Sequence, residues 1–386
     1  MSRELRYPPG LAVAENQPEL IEQNRMTPGF SQFAARLREL ILRSSPEESV
    51  FGTLALELFA LQFDHNSAYR RICEARHVTP LTVTHWSQIP AVPTPAFKEL
   101  EMTSLLPIER THVFHSSGTT EQRPSRHFHN SESLGIYEAS LRSAFPIPLA
   151  QRGRLLILTP PPADAANSSL VHMFETLRRE SSAPDSAFVG RLGDDRTWAT
   201  DFEAALAGLK GEEPLFILGT AFSFVHLLDY LTEQNLRFQL PPGSRVLETG
   251  GYKGRSRSLP KSELHALITR FLGVPREQII CEYGMSELSS QSYDCLQSDE
   301  HESRHSSPVN RHFTFPPWAR VQIVSPETGC EVTDGETGLI RVFDLANVFS
   351  VMAIQIEDLA IRRGNGFELI GRAELAESRG CSLMSV

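Results

Sequence analysis

Arg245-Val-Leu-Glu-Thr-Gly-Gly-Tyr-Lys-Gly-Arg255 is the stretch on which the fold turns. Arg245-Val-Leu247 reads as a buried strand, and the chain runs from it into a glycine-rich turn carrying two cations, Lys253 and Arg255. Glycine has no Cβ, so such a turn can take positive φ and bring its backbone close to a ligand. Two other segments repeat the pattern. Gln278-Ile-Ile-Cys281 leads into Glu282-Tyr-Gly-Met-Ser-Glu287, and Thr111-His-Val-Phe114 leads into His115-Ser-Ser-Gly-Thr-Thr120. Apolar runs at 154–158 and 214–218 read as further strands, with helical segments at 224–234 and 261–272 between them. This alternation predicts an α/β fold, a mostly parallel sheet covered by helices. Ligands then gather beyond the carboxyl ends of the strands, where all three turns are expected to lie.

Upstream, Phe33, Leu37, Leu40 and Ile41, then Phe51, Leu54, Leu58 and Leu61, fall at helical spacing. Residues 1–110 therefore read as a helical region packing on the main domain, with Ser45-Pro-Glu-Glu48 as a helix-start signal. The proline-rich connector Ile89-Pro-Ala-Val-Pro-Thr-Pro-Ala-Phe-Lys98 is expected to be extended, because each proline biases the residue before it away from helix. Downstream, short strands are expected at 319–324, 338–343, 359–362 and 366–370. The expected organisation is an α/β core over 111–317, a β-rich subdomain over 318–372 and a tail over 373–386. The polar segment 297–310 reads as a mobile loop.

A formal charge of −10 argues against nucleic-acid binding, which needs a basic surface. Met1-Ser-Arg-Glu-Leu-Arg6 lacks the pattern of a secretory signal. The richest apolar run, 214–228, is interrupted by Thr220, Ser223 and His226, so no membrane span is expected. Cys73, Cys281, Cys295, Cys330 and Cys381 are scattered and odd in number, which fits reduced thiols in a cytoplasm. The lysines are Lys98, Lys210, Lys253 and Lys261, so any chemistry that needs one has four choices.

The three turns are chemically complementary. Hydroxyls and N–H groups around Gly118 suit phosphate oxygens, although no G-x-x-x-x-G-K-[S/T] loop exists in the chain. The Gly250-Gly251 turn offers close backbone approach. The third turn adds an aromatic face, Tyr283, and a carboxylate, Glu287, of the type that holds Mg²⁺. Cys295, His301, His305 and His312 have residue types that bind zinc, but their spacing is irregular and a loop is the expectation. Neither a G-x-S-x-G hydrolase elbow nor a G-x-G-x-x-G dinucleotide turn is present.

Ser116-Ser-Gly-Thr-Thr120, Tyr283-Gly-Met-Ser-Glu287, Glu357-Asp-Leu-Ala360 and Gly371-Arg372 stand in the order of the motifs of the adenylate-forming ligase superfamily. Within it the chain resembles the acyl-protein synthetases, LuxE-type fatty-acid–protein ligases. The 89–98 connector, the 248–255 turn, Phe315-Pro-Pro-Trp318 and Arg379-Gly-Cys-Ser-Leu383 carry that narrower likeness, which spans roughly residue 86 to the C-terminus. The resemblance implies an adenylate-forming large domain, with Ser116, Ser117, Gly118, Thr119 and Thr120 cradling the phosphates of ATP. It implies that Gly250 and Gly251 line the nucleotide and acyl-adenylate pocket and that Tyr283, followed by Gly284, Met285 and Ser286, stacks on adenine. Glu287 would help to hold Mg²⁺, Asp358 would bind the ribose, Arg372 would stand at a hinge, and Cys381 would become acylated. Most superfamily members continue past the hinge arginine into a lid domain with a catalytic lysine. Here 386 − 372 = 14 residues follow, so that lid is expected to be lacking and Lys253 and Arg255, with Lys98 in reserve, are the cations available for the α-phosphate. Arg379 beside Cys381 would favour its thiolate. The implied activity is ATP-dependent activation of a carboxylic acid, a fatty acid by resemblance, as acyl-AMP. Acyl transfer to Cys381 and on to a partner such as an acyl reductase would follow. A phenylacetate–CoA-ligase-like enzyme, transferring to a free thiol, amine or carrier protein, and a non-catalytic adenylate-binding subunit are the alternatives.

Overall fold

The computed structural model describes residues 28–43, 48–116, 123–148, 153–181, 183–193, 197–251, 256–294 and 311–372. The described chain opens on α1 (Pro28–Arg43), α2 (Glu48–His65) and α3 (Ser67–Ala75). Phe33, Leu37, Ile41, Phe51 and Leu58 are all fully buried, as their spacing predicts. Burying side chains of this size contributes about 1.5–3 kcal/mol each. The connector is extended at Ile89 and through β1 (Val92–Pro93). Pro95, at φ −58° and ψ −24°, then starts a turn of helix, α4 (Ala96–Glu99), that buries Phe97. Proline's fixed φ suits a helix's first turn, which is why the extended reading fails there.

The middle of the chain begins with an antiparallel ribbon, β2 (His112–His115) and β3 (Arg126–His129). It continues through α5 (Ser131–Ala144), β4 (Arg154–Ile157), α6 (Ser169–Glu180) and β5 (Ala187–Phe188). A small hairpin of β6 (Gly190–Leu192) and β7 (Trp198–Thr200) precedes α7 (Phe202–Gly208), β8 (Leu215–Thr220) and α8 (Ala221–Glu233). Then come β9 (Arg245–Thr249), α9 (Lys261–Leu272), β10 (Ile279–Tyr283) and β11 (Ser292–Tyr293). One sheet runs β5-β4-β8-β9-β10-β11, parallel except for β11. The chain winds one way from β4 to β5 and the other way from β4 to β8, the doubly wound order whose reversal opens a crevice at the strand ends. Side chains alternate between two helical layers. Leu156, Ile217, Val246 and Ile279 pack with Phe224, Leu228, Leu264 and Ile268. Leu155, Phe216, Leu247 and Ile280 pack with Leu141, Met173 and Phe174.

One expectation is corrected here. The 116–125 loop joins the strands of the β2–β3 ribbon and does not follow a strand of the parallel sheet. The alternation in Arg126-His-Phe-His129 is the period-two signal of that antiparallel partner.

The last sheet is built from β12 (Ala319–Val324), β13 (Thr337–Asp344), β14 (Ala353–Arg363) and β15 (Gly366–Arg372), with β13 and β15 antiparallel to β14. It takes a fifth strand, β1, from the N-terminal region, parallel to β14. It also shares one apolar core with α1–α3. The N-terminal helices therefore pack on this sheet, and α1 packs on α5 as well. Buried Asp344 ties it to the parallel sheet: its Oδ2 accepts from the Ser289 and Ser290 amides at 2.9 and 2.8 Å, and its Oδ1 accepts from Ser290 Oγ at 2.7 Å. Trp318 Nε1 donates to Ser140 Oγ at 2.8 Å in the same seam.

Candidate active site

The carboxyl ends of β8, β9 and β10 open on a cavity of about 520 Å³. β8 brings Thr220, with Phe222 on the first turn of α8; β9 brings Thr249, Gly250 and Gly251; β10 brings Glu282 and the Gly284–Glu287 turn. The ribbon contributes His115 and Ser116, and the start of α6 contributes Ser168 and Ser169. Leu170, Met173, Leu192 and Trp198 form apolar wall. Both helices that begin here are capped by cavity residues. Ser168 Oγ accepts from the Val171 amide at 3.3 Å and Thr220 Oγ1 from the Ser223 amide at 3.2 Å. The positive dipole ends of α6 and α8 therefore face the cavity, a polarity that favours anions. Gly250 has φ +68°, and a Cβ on it or on Gly251 would meet nothing within 4 Å, so the turn leaves open space beside its backbone.

The polar groups of the cavity are unevenly partnered. Thr249 Oγ1 donates to Glu282 Oε2. Burial pushes the Glu282 carboxyl up to about 7, against the Thr249 bond and with help from the Glu248 charge. Glu287 Oε2 accepts from Ser286 Oγ at 2.9 Å. His127 Nδ1 donates to the Ser286 carbonyl at 2.8 Å, and burial holds that imidazole down at about 4, so it is neutral. Ser116 Oγ accepts from the Ser125 amide at 3.0 Å and closes the base of its loop.

Of the expected site residues, Ser116, Gly250, Gly251, Gly284, Met285, Ser286 and Glu287 line the cavity. Ser117, Gly118, Thr119, Thr120, Lys253, Arg255 and Cys381 lie outside the described residues, as do Cys295, His301, His305 and the whole 297–310 segment. Tyr283, Asp358 and Arg372 do not line the cavity. Side chains alternate along β10, so Glu282 faces the cavity and Tyr283 faces the other side. There Tyr283 packs edge-on to Phe367, with ring centroids 5.3 Å apart, and its hydroxyl donates to Asp358 Oδ2 at 2.9 Å. Arg372 is exposed, 3.4 Å from Glu357. Sequence reasoning did not single out Thr220, Thr249, Glu282 or Gln291. Glu282 stood inside a quoted turn, and its register with Thr249 across β9–β10 is a tertiary fact.

On the opposite face of the same strands lies a buried polar cluster. Cys281 Sγ donates to Glu248 Oε2 at 3.0 Å, and His265 Nε2 is 3.5 Å from both. Lys261 pairs with Asp294 at 3.5 Å, and Asp294 Oδ1 accepts from the Cys281 amide at 2.6 Å. Burial pushes Glu248 up, yet bonds from His265 and Cys281 and the Lys261 charge outweigh it and hold the carboxyl below its usual range.

Residues 196–385 match the model of a family described as acyl-protein synthetase, LuxE. Over those 190 of its 386 residues the chain is similar to that family. The chain is 23% identical over 378 residues to a long-chain-fatty-acid–luciferin-component ligase of Aliivibrio fischeri, covering 91% of this chain and 93% of that one. Its fold is that of the adenylate-forming ligases: it matches an open conformation of 2-hydroxyisobutyryl-CoA ligase at a TM-score of 0.60 and 15% identity, over 86% of this chain and 76% of that one. It spans about half the length, 48%, of an ATP-bound RpMatB-BxBclM chimera, with a TM-score of 0.46, 16% identity and 68% of this chain covered. The family match and the fatty-acid ligase relative together support an acid ligase enzyme. Among the described residues no helix is long and apolar enough to cross a membrane.

Proposed function

We propose that this protein activates a carboxylic acid with Mg·ATP in the cavity at the ends of β8, β9 and β10. The observation that carries the reading is the convergence of the Ser116, Gly250–Gly251 and Gly284–Glu287 turns on that one cavity in a chain that matches the LuxE family model over residues 196–385. The residues present fit the groups required. Open space at Gly250 and Gly251 and two helix N-termini suit an acyl phosphate anhydride. Glu287 is a buried carboxylate facing the cavity, the oxygen donor that Mg²⁺ prefers. Mg²⁺ held there would neutralise phosphate charge.

In the first step a carboxylate oxygen attacks the α-phosphorus, the bond to the bridging oxygen of the β-phosphate breaks, and pyrophosphate leaves. Tyr283 and Asp358, bonded to each other beside the turn, are assigned to the adenosine by the family resemblance, as is the hinge place of Arg372. Lys253 and Arg255, which follow Gly251 in the chain, are the proposed cations for the α-phosphate, with the remaining Ser117–Thr120 loop on the other phosphates. In the second step the Cys381 thiol, having lost its proton to solvent, attacks the acyl carbonyl; AMP leaves and a thioester forms. The acyl group, a fatty acyl chain by analogy with the Aliivibrio fischeri ligase, then passes to a partner such as an acyl reductase.

Exchange of labelled pyrophosphate into ATP, followed by intact mass measurement, tests both steps. Acid-dependent exchange and an acyl-sized mass gain are expected, and Cys381→Ser keeps the exchange but loses the mass gain. Absence of exchange with every acid overturns the reading.

A further inference from the structure

A second cavity, of about 300 Å³, has no part in the ligase reading. Ala144, Tyr293, Phe315, Pro316, Pro317 and Trp318 give it a mainly apolar wall. It lies beside the same helix as the strand-end cavity: α5 places Tyr137 on the first and Ala144 on the second. Those two positions stand about 10 Å apart along the helix axis. Gln291 lines both cavities, so its side chain stands between them. Around it the frame is pinned. Ser140 Oγ lies 3.0 Å from Ser290 Oγ and accepts from Trp318 Nε1 at 2.8 Å, and Ser290 Oγ donates to Asp344. Gln291 itself is held differently: it is buried, and its Oε1 has no hydrogen-bond partner. No bond on that oxygen opposes displacement of the side chain, and an unpaired buried acceptor raises the energy of the closed position.

The strand-end cavity, at about 520 Å³, has to take a nucleotide as well as the acid. A pocket for one drug-sized ligand measures about 300–1,000 Å³, and ATP alone is of that class. That leaves room for a short acid beside the nucleotide. A long chain needs more, and the space past Gln291 is mainly apolar.

We propose that the second cavity seats the far end of a long, unbranched acyl chain, and that Gln291 is the partition the chain displaces to enter it. The proposal rests on the ligase reading above and names the acid class: saturated chains too long for the strand-end cavity alone. Each methylene carried past Gln291 leaves water for an apolar wall, which should raise kcat/KM about fourfold. Gln291 then sets chain length and takes part in neither chemical step.

The test uses the full chain and a series of saturated straight-chain acids, from hexanoic to octadecanoic, in acid-dependent pyrophosphate exchange. Ala144→Leu fills the second cavity from a position that does not line the first. It is expected to lower kcat/KM tenfold or more for the long acids and to leave hexanoic acid within twofold. Gln291→Ala removes the partition and is expected to raise the ratio of long-acid to hexanoic-acid kcat/KM at least fivefold. Equal loss on short and long acids in an Ala144→Leu protein with unaltered thermal unfolding overturns the proposal. So does an unchanged length profile in Gln291→Ala, which decides alone if Ala144→Leu does not fold. If acids support exchange with no gain from length in the wild type, the proposal falls while the ligase reading stands. Should no acid support exchange, the ligase reading falls and takes the proposal with it.

Discussion

The two faces of the β9–β10 pair hold the same kinds of residue in opposite conditions. On one face Glu248 and Cys281 meet His265 from α9, with Lys261 and Asp294 alongside, and every group there has a partner. On the other, one residue further along each strand, Thr249 and Glu282 meet each other and a cavity. The first carboxyl is held below its usual range by its partners, and the second is pushed up to about 7 by burial. The difference separates structure from function without reference to any other protein. A polar cluster closed on itself stabilises the sheet against α9, whereas the Thr249–Glu282 pair at the strand ends borders a cavity that a ligand can enter.

The hardest break in this comparison is Glu248→Ala. It leaves Cys281, His265 and the Lys261 charge without their buried carboxylate, and urea unfolding should show a loss of about 3–5 kcal/mol. On the cavity face the corresponding change is read through pH. Glu282 has its folded pKa raised from 4.5 to about 7, so the folded state holds a proton that the unfolded chain releases across that window. Its contribution to stability is fully present below pH 4.5 and is lost as pH rises to about 7, by roughly 3 kcal/mol. The stability of the wild type relative to Glu282→Gln should fall over that range and be flat above it; a flat difference throughout would show that Glu282 is not held neutral. Tyr283→Phe removes the hydroxyl that Asp358 accepts and should cost about 1–3 kcal/mol in the same unfolding assay. The smallest effect is expected for Thr249→Val, at about 1 kcal/mol. Because the Thr249 bond holds Glu282 down, its removal should also move the upper inflection of the pH dependence above that of the wild type.

Much of this molecule is written locally. The apolar runs at 154–158, 214–218, 245–247 and 278–281 became β4, β8, β9 and β10, and 261–272 coincides with α9. These elements are legible because hydrophobic periodicity and glycine are properties of a few adjacent residues. The Gly250–Gly251 and Gly284–Glu287 turns were legible as strand-end turns for the same reason, since each follows its strand directly, and both line the cavity. The 116–125 loop was misplaced because a strand's sheet partner is set by contacts far along the chain, and here that partner is β3. Tyr283 was singled out by type, but the parity of β10 turns it away from the cavity and turns Glu282 toward it.

The order of apolar runs and glycine turns, with the motif series that ends near Arg372, by itself determined an α/β chain of adenylate-forming type with a mostly parallel, helix-covered sheet. Only tertiary structure decided which polar side chains share a cavity and which are neutralised elsewhere. A single strand residue's facing, its cross-strand partner and its loss of water all depend on neighbours brought from distant segments: Thr249 against Glu282, His265 against Cys281, β1 beside β14. Those contacts set the charge state of a carboxyl, and no local pattern encodes them.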